Sequence, residues 1–171
     1  MKTINIKLST KSIQNAKKEL QEYKAEIRRK CNQVIAELAN YGLEICKAKI
    51  AEMKIYDTGQ LDNSVNVYLD EAQMRGFIRV SYDYAVFVEF GTGTKGIGTP
   101  YIGEAMSKVG YKYMGGTQYV TLNDGRIGWF YPADDGTWRF TEGLPSRPFM
   151  YETGQELRNN LKSILSEVFR K

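Results

Sequence analysis

Three carboxylates stand where residue type and position could support chemistry: Asp57, Glu89 and Glu152. Two carboxylates facing each other across a cleft can run glycoside hydrolysis. No spacing in the chain forces any two of these together, and each has a simpler role. Asp57 lies in a turn, Glu89 beside one, and Glu152 in the first turn of an expected helix. The 171 residues include no histidine. That removes the commonest general base, the commonest metal ligand and every Ser-His or Cys-His nucleophile system. Gly91-Thr92-Gly93-Thr94-Lys95-Gly96 misses the spacing of a phosphate-binding loop, and Asp134-Asp135-Gly136 lacks that of a calcium loop. The reading is a protein that is not an enzyme, with no metal and no cofactor.

Glu89 is the most unusual of the three. It sits in the apolar, aromatic run Tyr84-Ala85-Val86-Phe87-Val88-Glu89-Phe90, which breaks into Gly91-Thr92-Gly93-Thr94. A carboxylate there is either a surface residue of a half-buried element or a buried acceptor for backbone amides. In the second case the amides expected are those of the adjoining turn, Gly91–Thr94.

Length and composition bound the frame. With 42% hydrophobic and 26% charged residues, the chain is expected to be one globular domain over 1–171 with a real core. No apolar run of about 18 residues offers a membrane span. The N-terminus lacks the apolar segment of a signal peptide, so an intracellular product is expected. Cys31 and Cys46 fall in the helical first third; on one continuous helix they would lie about 22 Å apart, too far for a disulfide. Net charge is +4, with +6 on residues 1–56 and −2 on the remainder. Lys17-Lys18 and Arg28-Arg29-Lys30 are the candidates for nucleic-acid contact, but three consecutive residues point around a helix, and the plainer reading is a solvated face.

Four segments follow. Residues 1–56 form a short strand or an arm that becomes ordered on a partner, alternating at Ile4, Ile6 and Leu8, and then a long helix with Ser9, Thr10 or Ser12 as its cap. Apolar residues at Ile13, Ala16, Leu20, Tyr23, Ile27, Cys31, Val34, Leu38, Tyr41 and Ile45 mark its narrow stripe, and it extends to about Met53 as one helix or two collinear ones. Residues 57–94 hold a turn at Tyr56-Asp57-Thr58-Gly59, a hairpin of 64–69 with 76–81, and a strand or short helix at 84–90. Residues 95–146 form a glycine- and aromatic-rich β-insertion. Gly91–Gly103 is read as a loop that is mobile or becomes ordered on contact, strands lie at 111–113, 119–122, 129–131 and 137–140, and the aromatics supply a small core. Asn123-Asp124-Gly125 and Asp134-Asp135-Gly136 are its hairpin turns. Residues 147–171 form the last helix, capped by Ser146, with Phe149, Leu157, Leu161, Ile164, Leu165 and Val168 on its apolar face. The fold class is therefore α+β: long N-terminal and C-terminal helices packed on a small, mainly antiparallel sheet.

Three stretches also carry a resemblance. Thr58-Gly59-Gln60-Leu61-Asp62-Asn63-Ser64, Tyr84-Ala85 with Glu89-Phe90-Gly91-Thr92, and Arg147-Pro148-Phe149 resemble, in order, motifs of the neck, or head–tail connector and tail-completion, proteins of long-tailed bacteriophages and prophages. The resemblance implies a structural role without catalysis or cofactor. It implies a virion component made in the bacterial host cytoplasm, forming a homo-oligomeric ring and touching other connector and tail proteins. Non-specific contact with DNA in the channel would fall to basic residues; membranes are not involved. The motif residues would then define the fold rather than a reactive site. One departure is the length between Thr92 and Arg147, about 50 residues where many members have a short loop. This insertion is expected to reach a neighbouring ring.

Overall fold

The computed structural model describes residues 7–55, 59–97 and 118–170. The alternating N-terminal arm up to residue 6, the turn residues Tyr56, Asp57 and Thr58, and the expected strand at 111–113 lie outside the described residues.

Helix α1 runs unbroken from Thr10 to Glu52. At 1.5 Å per residue its length is about 65 Å. Ser9, in extended conformation, caps it: its side chain accepts the amide of Ser12. The helix closes at Met53 and Lys54, whose amides reach back to Lys49 and Ala51, with Lys54 at positive φ. Gly42 does not interrupt it. A Cβ at this position would collide with Ile78 and Leu157. The missing side chain lets a strand and a second helix approach α1 from two sides.

That second helix, α5, spans Phe149–Arg170 and runs antiparallel along the C-terminal half of α1. Cys46 meets Met150 near one end, and the Lys30 ammonium lies over the Phe169 ring at the other. The sheet that approaches from the other side pairs β1 (Val65–Asp70) with β2 (Arg75–Val80) antiparallel, from Val65 opposite Val80 to Asp70 opposite Arg75. Asp70 accepts the amide of Gln73 in the turn. Alternation sends Val65, Ile78 and Val80 toward α1 and leaves Tyr68 and Phe77 exposed on the outer face.

Between these lie short helices: α2 (Gln60–Asn63), α3 (Ala85–Phe90) and α4 (Gly93–Gly96). The run at 84–90 is thus helical. Its exposed Val86 and Phe87 and buried Val88 and Phe90 follow a helical turn rather than strand alternation. The core closes around Cys46, Ile50, Leu61, Val65, Val88 and Phe149. Phe149 is 1% exposed, and a ring so covered contributes about 1.5–3 kcal/mol.

The insertion forms its own antiparallel sheet, β3 (Val120–Thr121), β4 (Ile127–Pro132) and β5 (Trp138–Thr141), in that order. Asp124 and Asp135 fold their carboxylates onto the amides of Arg126 and Thr137, and Gly125 and Gly136 supply the left-handed residues of the turns. The small antiparallel sheets, with that of the insertion apart from the hairpin, agree with the expected α+β class. One expectation is corrected here: the described aromatics of the insertion do not form a closed core. Phe130 and Tyr131 are largely exposed and Trp138 is 68% exposed, because three short strands offer only one inner face. Tyr119 against Trp129 and Phe130 against Phe140 form edge-on pairs instead. Of the loop expected at Gly91–Gly103, residues 98–103 lie outside the described residues, and the described part forms α4 at Gly93–Gly96. Thr94 donates toward the carbonyls of Ile127 and Glu142, tying it to the insertion.

Candidate functional site

The three motif stretches meet at the N-terminus of α5. Gly59, at φ 73°, opens α2, which buries Leu61, and the Ser64 hydroxyl donates to the Leu61 carbonyl at 2.7 Å. Tyr84 leads into α3 and Ala85 is buried on its inner side. Gly91 closes α3 at φ 76°, its amide bonded to the Phe87 carbonyl. A Cβ on Gly91 would lie 2.6 Å from the Ser146 amide nitrogen and 2.7 Å from the Leu144 carbonyl oxygen. Glycine is required there for conformation and for space. Thr92 completes the junction: its amide donates to the Leu144 carbonyl, and its hydroxyl accepts the Leu144 amide. Arg147 donates its amide to the Val88 carbonyl. Pro148 and Phe149 are both buried.

Glu89 is the centre of this junction. It is 9% exposed, and its two carboxylate oxygens accept the amides of Met150 and Tyr151, each at 2.9 Å. The first amides of a helix have no partner within it. A carboxylate from another element therefore caps α5, where the positive end of the helix dipole favours it. The expected targets, the amides of Gly91–Thr94, are not the ones it serves. The expectation for Ser146 is corrected too: its hydroxyl donates to the Glu89 carbonyl at 2.6 Å, so it joins α3 to the approach of α5 instead of capping the helix.

Burial pushes the Glu89 carboxyl up to about 7, against the pull of the two amides, with Glu152 adding a smaller upward push. Glu152 itself faces Lys49, whose ammonium lies 3.6 Å from Glu152, 3.9 Å from Glu156 and 3.0 Å from Glu52. Behind them burial pushes the Cys46 thiol up to about 11. Both oxygens of Glu89 are thus committed to backbone amides and Glu152 to a lysine; Asp57 lies outside the described residues. Among the described residues, no group of three or more His, Cys, Asp or Glu is placed to hold a metal.

A cavity of about 320 Å³ opens beside the junction, with Leu61, Tyr82, Val88, Pro145 and Arg147 in its wall. It touches all three motif stretches, while Thr58 lies outside the described residues. The basic residues of α1 are partly committed within the chain. Arg28 donates to the Ala72 carbonyl at the β1–β2 turn, and Lys30 is covered by Phe169 and Glu26. Asn32 completes that contact by donating to the Glu71 carbonyl. No helix among the described residues is long and apolar enough to cross a membrane.

Residues 14–91 match the model of the HK97-gp10-like family, described as "Bacteriophage HK97-gp10, putative tail-component". The match runs from the first turns of α1 through both strands of the hairpin to Gly91, and includes Glu89. The insertion and α5 lie beyond it. No curated protein and no solved structure matches the chain.

Proposed function

We propose that this chain, tail-component-like over residues 14–91, is a structural protein of a tailed phage or prophage virion, acting as a ring-forming subunit at the head–tail junction. The carrying observation is the match from α1 to Gly91. Its support in the structure is the junction itself. Glu89, Gly91 and Thr92, at and just past the end of the matched segment, bond to residues 144–151 beyond it. The helix–hairpin–helix frame is thereby completed by the Arg147-Pro148-Phe149 start of α5. The role is neck or tail completion, with copies of itself and other connector and tail proteins as partners. The insertion sheet, tied to the body through α4, is the part proposed to reach a neighbouring ring. DNA contact through α1 is the weaker alternative, because Arg28 and Lys30 already hold the hairpin turn and α5.

Electron microscopy of a lysate from the parent phage lacking this gene tests the reading. Full heads and finished tails lying apart place the protein at the joint, and tails of irregular length make it the tail terminator. Intact infectious particles overturn the proposal. Normal particles after deletion of residues 110–141 would remove the role given to the insertion.

A further inference from the structure

We propose that the open edge of β2, with the apolar groove beside it, receives the N-terminal residues of a neighbouring copy of this chain as an added strand. The proposal rests on the assembly reading above and names the surface through which copies meet. The sheet of β1 and β2 has two strands, and among the described residues the backbone of β2 bonds to β1 alone. Its other edge carries unpaired amides and carbonyls, with which an extended segment can pair. Gly76 on this strand is exposed and has no side chain to shield its backbone.

Beside this edge lies a cavity of about 220 Å³ lined by Ile35, Leu38, Ala39, Gly76, Ile78 and Leu157. Its wall is apolar throughout and comes from α1, β2 and α5. No residue of β1 lines it, which puts it on the open side of β2. Leu161 and Leu165 continue the row of Leu157 along α5, at 41% and 38% exposure. A strand added to β2 would turn every second side chain toward α1, as Gly76 and Ile78 are turned, and the others toward solvent. The segment that fits is therefore short, extended and apolar at alternate positions.

Ile4-Asn5-Ile6-Lys7-Leu8, just ahead of α1, has this pattern. Leu8 is fully exposed where it leads into the helix. Reach decides whose groove the segment enters. Thr10 and Ile35 belong to one unbroken helix and lie about 37 Å apart along it. Even fully extended, the chain carries Ile4 at most about 22 Å from Thr10. The segment falls short of its own groove, so a second copy supplies it. Donor and acceptor are different surfaces of the chain, which makes the contact head-to-tail. Each copy gives its N-terminal segment to one neighbour and receives that of the other. Such a contact needs no two-fold axis, and it closes a ring when the rotation between neighbours divides a full turn. It also covers a strand edge that would otherwise invite mispairing.

The test uses purified particles of the parent phage carrying Leu157→Cys together with Ile4→Cys or Ile6→Cys, oxidised mildly and run without reductant. A ladder of dimers, trimers and larger multiples of this chain is the expected result, with none from any of the three substitutions alone. A ladder that stops at the dimer, no cross-link, a disulfide within one chain, or a cross-link to a different virion protein overturns the docking while leaving the structural role standing. Absence of the unaltered chain from particles overturns the assembly reading and the docking with it. Where the paired cysteines block assembly, substitutions ahead of α1 decide. Ile4→Asp with Ile6→Asp is expected to leave the thermal midpoint of the purified chain unchanged and to lower infectious yield about tenfold or more. Asn5→Asp, on the solvent side of the added strand, is expected to change the yield less than about threefold. Equal effects of the two, no effect of either, or a lowered midpoint overturns the docking.

Discussion

Glu89 and Met150 lie 61 positions apart and are joined by a 2.9 Å hydrogen bond from the Met150 amide to a Glu89 carboxylate oxygen. The other oxygen takes the next amide of α5, that of Tyr151. One acidic side chain therefore ends α3, starts α5 and closes the core between them.

Glu89→Ala removes both acceptors and leaves two buried amides unpaired. Loss of a helix cap costs about 1 kcal/mol, and each buried orphan donor adds about 1–3 kcal/mol. A loss of roughly 3 kcal/mol is expected from urea denaturation followed by circular dichroism. A loss below about 0.5 kcal/mol would mean that the cap contributes nothing to holding α5.

The same carboxyl gives the fold a pH dependence of definite sign. Its value is about 7 in the folded protein, against 4.5 when unperturbed, so the native state keeps a proton that the unfolded chain releases. Stability from this group is complete below pH 4.5 and is lost as pH rises through 7. The full excursion is on the order of 3 kcal/mol. Thermal midpoints of the native protein are expected to fall from pH 5 to pH 7.5 relative to those of Glu89→Gln, which cannot titrate there. Parallel profiles would show that the amides of Met150 and Tyr151 hold the carboxylate ionised despite its burial.

Gly91→Ala is expected to cost far more than Gly125→Ala, although both glycines have positive φ. At Gly125 the new methyl group meets open space, and only the backbone conformation, about 1–2 kcal/mol, opposes it. At Gly91 it meets the backbone of Leu144 and Ser146, which cannot turn aside as a side-chain end could. Loss of soluble folded protein for Gly91→Ala beside a well-folded Gly125→Ala is the outcome to look for in expression and thermal melts. Equal behaviour would contradict the tight junction.

What could be read from the sequence follows from how local each cause is. The long helix, the 65–80 hairpin and the Asn123-Asp124-Gly125 and Asp134-Asp135-Gly136 turns depend on neighbours within a few residues, and all were legible. Glu89 was also legible as an unusual acid among apolar residues. Its partners were not, because the amides of Met150 and Tyr151 belong to a helix brought close only by the completed fold. Ser146 misled for a related reason. Serine before Arg-Pro-Phe carries the local pattern of a cap, yet its hydroxyl is taken by the Glu89 carbonyl. The aromatics of β4 and β5 show the limit of residue type, since a three-stranded sheet exposes rings that a larger one would cover.

The two cysteines offer a check on how α1 sits in the molecule. Cys46 is fully buried beside Met150, with its thiol held far toward the neutral form, whereas Cys31 is half-buried. Thiolate is the reactive species, so burial and a raised value both protect Cys46. In native protein a thiol reagent is expected to modify one cysteine, Cys31, and to reach Cys46 only at the rate of unfolding. Mass spectrometry of peptides from a time course separates the two. Unfolding strips Cys46 of its cover, so both sites should react alike in urea. Early modification of Cys46 without denaturant would mean that α5 lifts from α1 in the native state, which the Glu89 cap and the Lys49 contacts to Glu152 and Glu156 argue against.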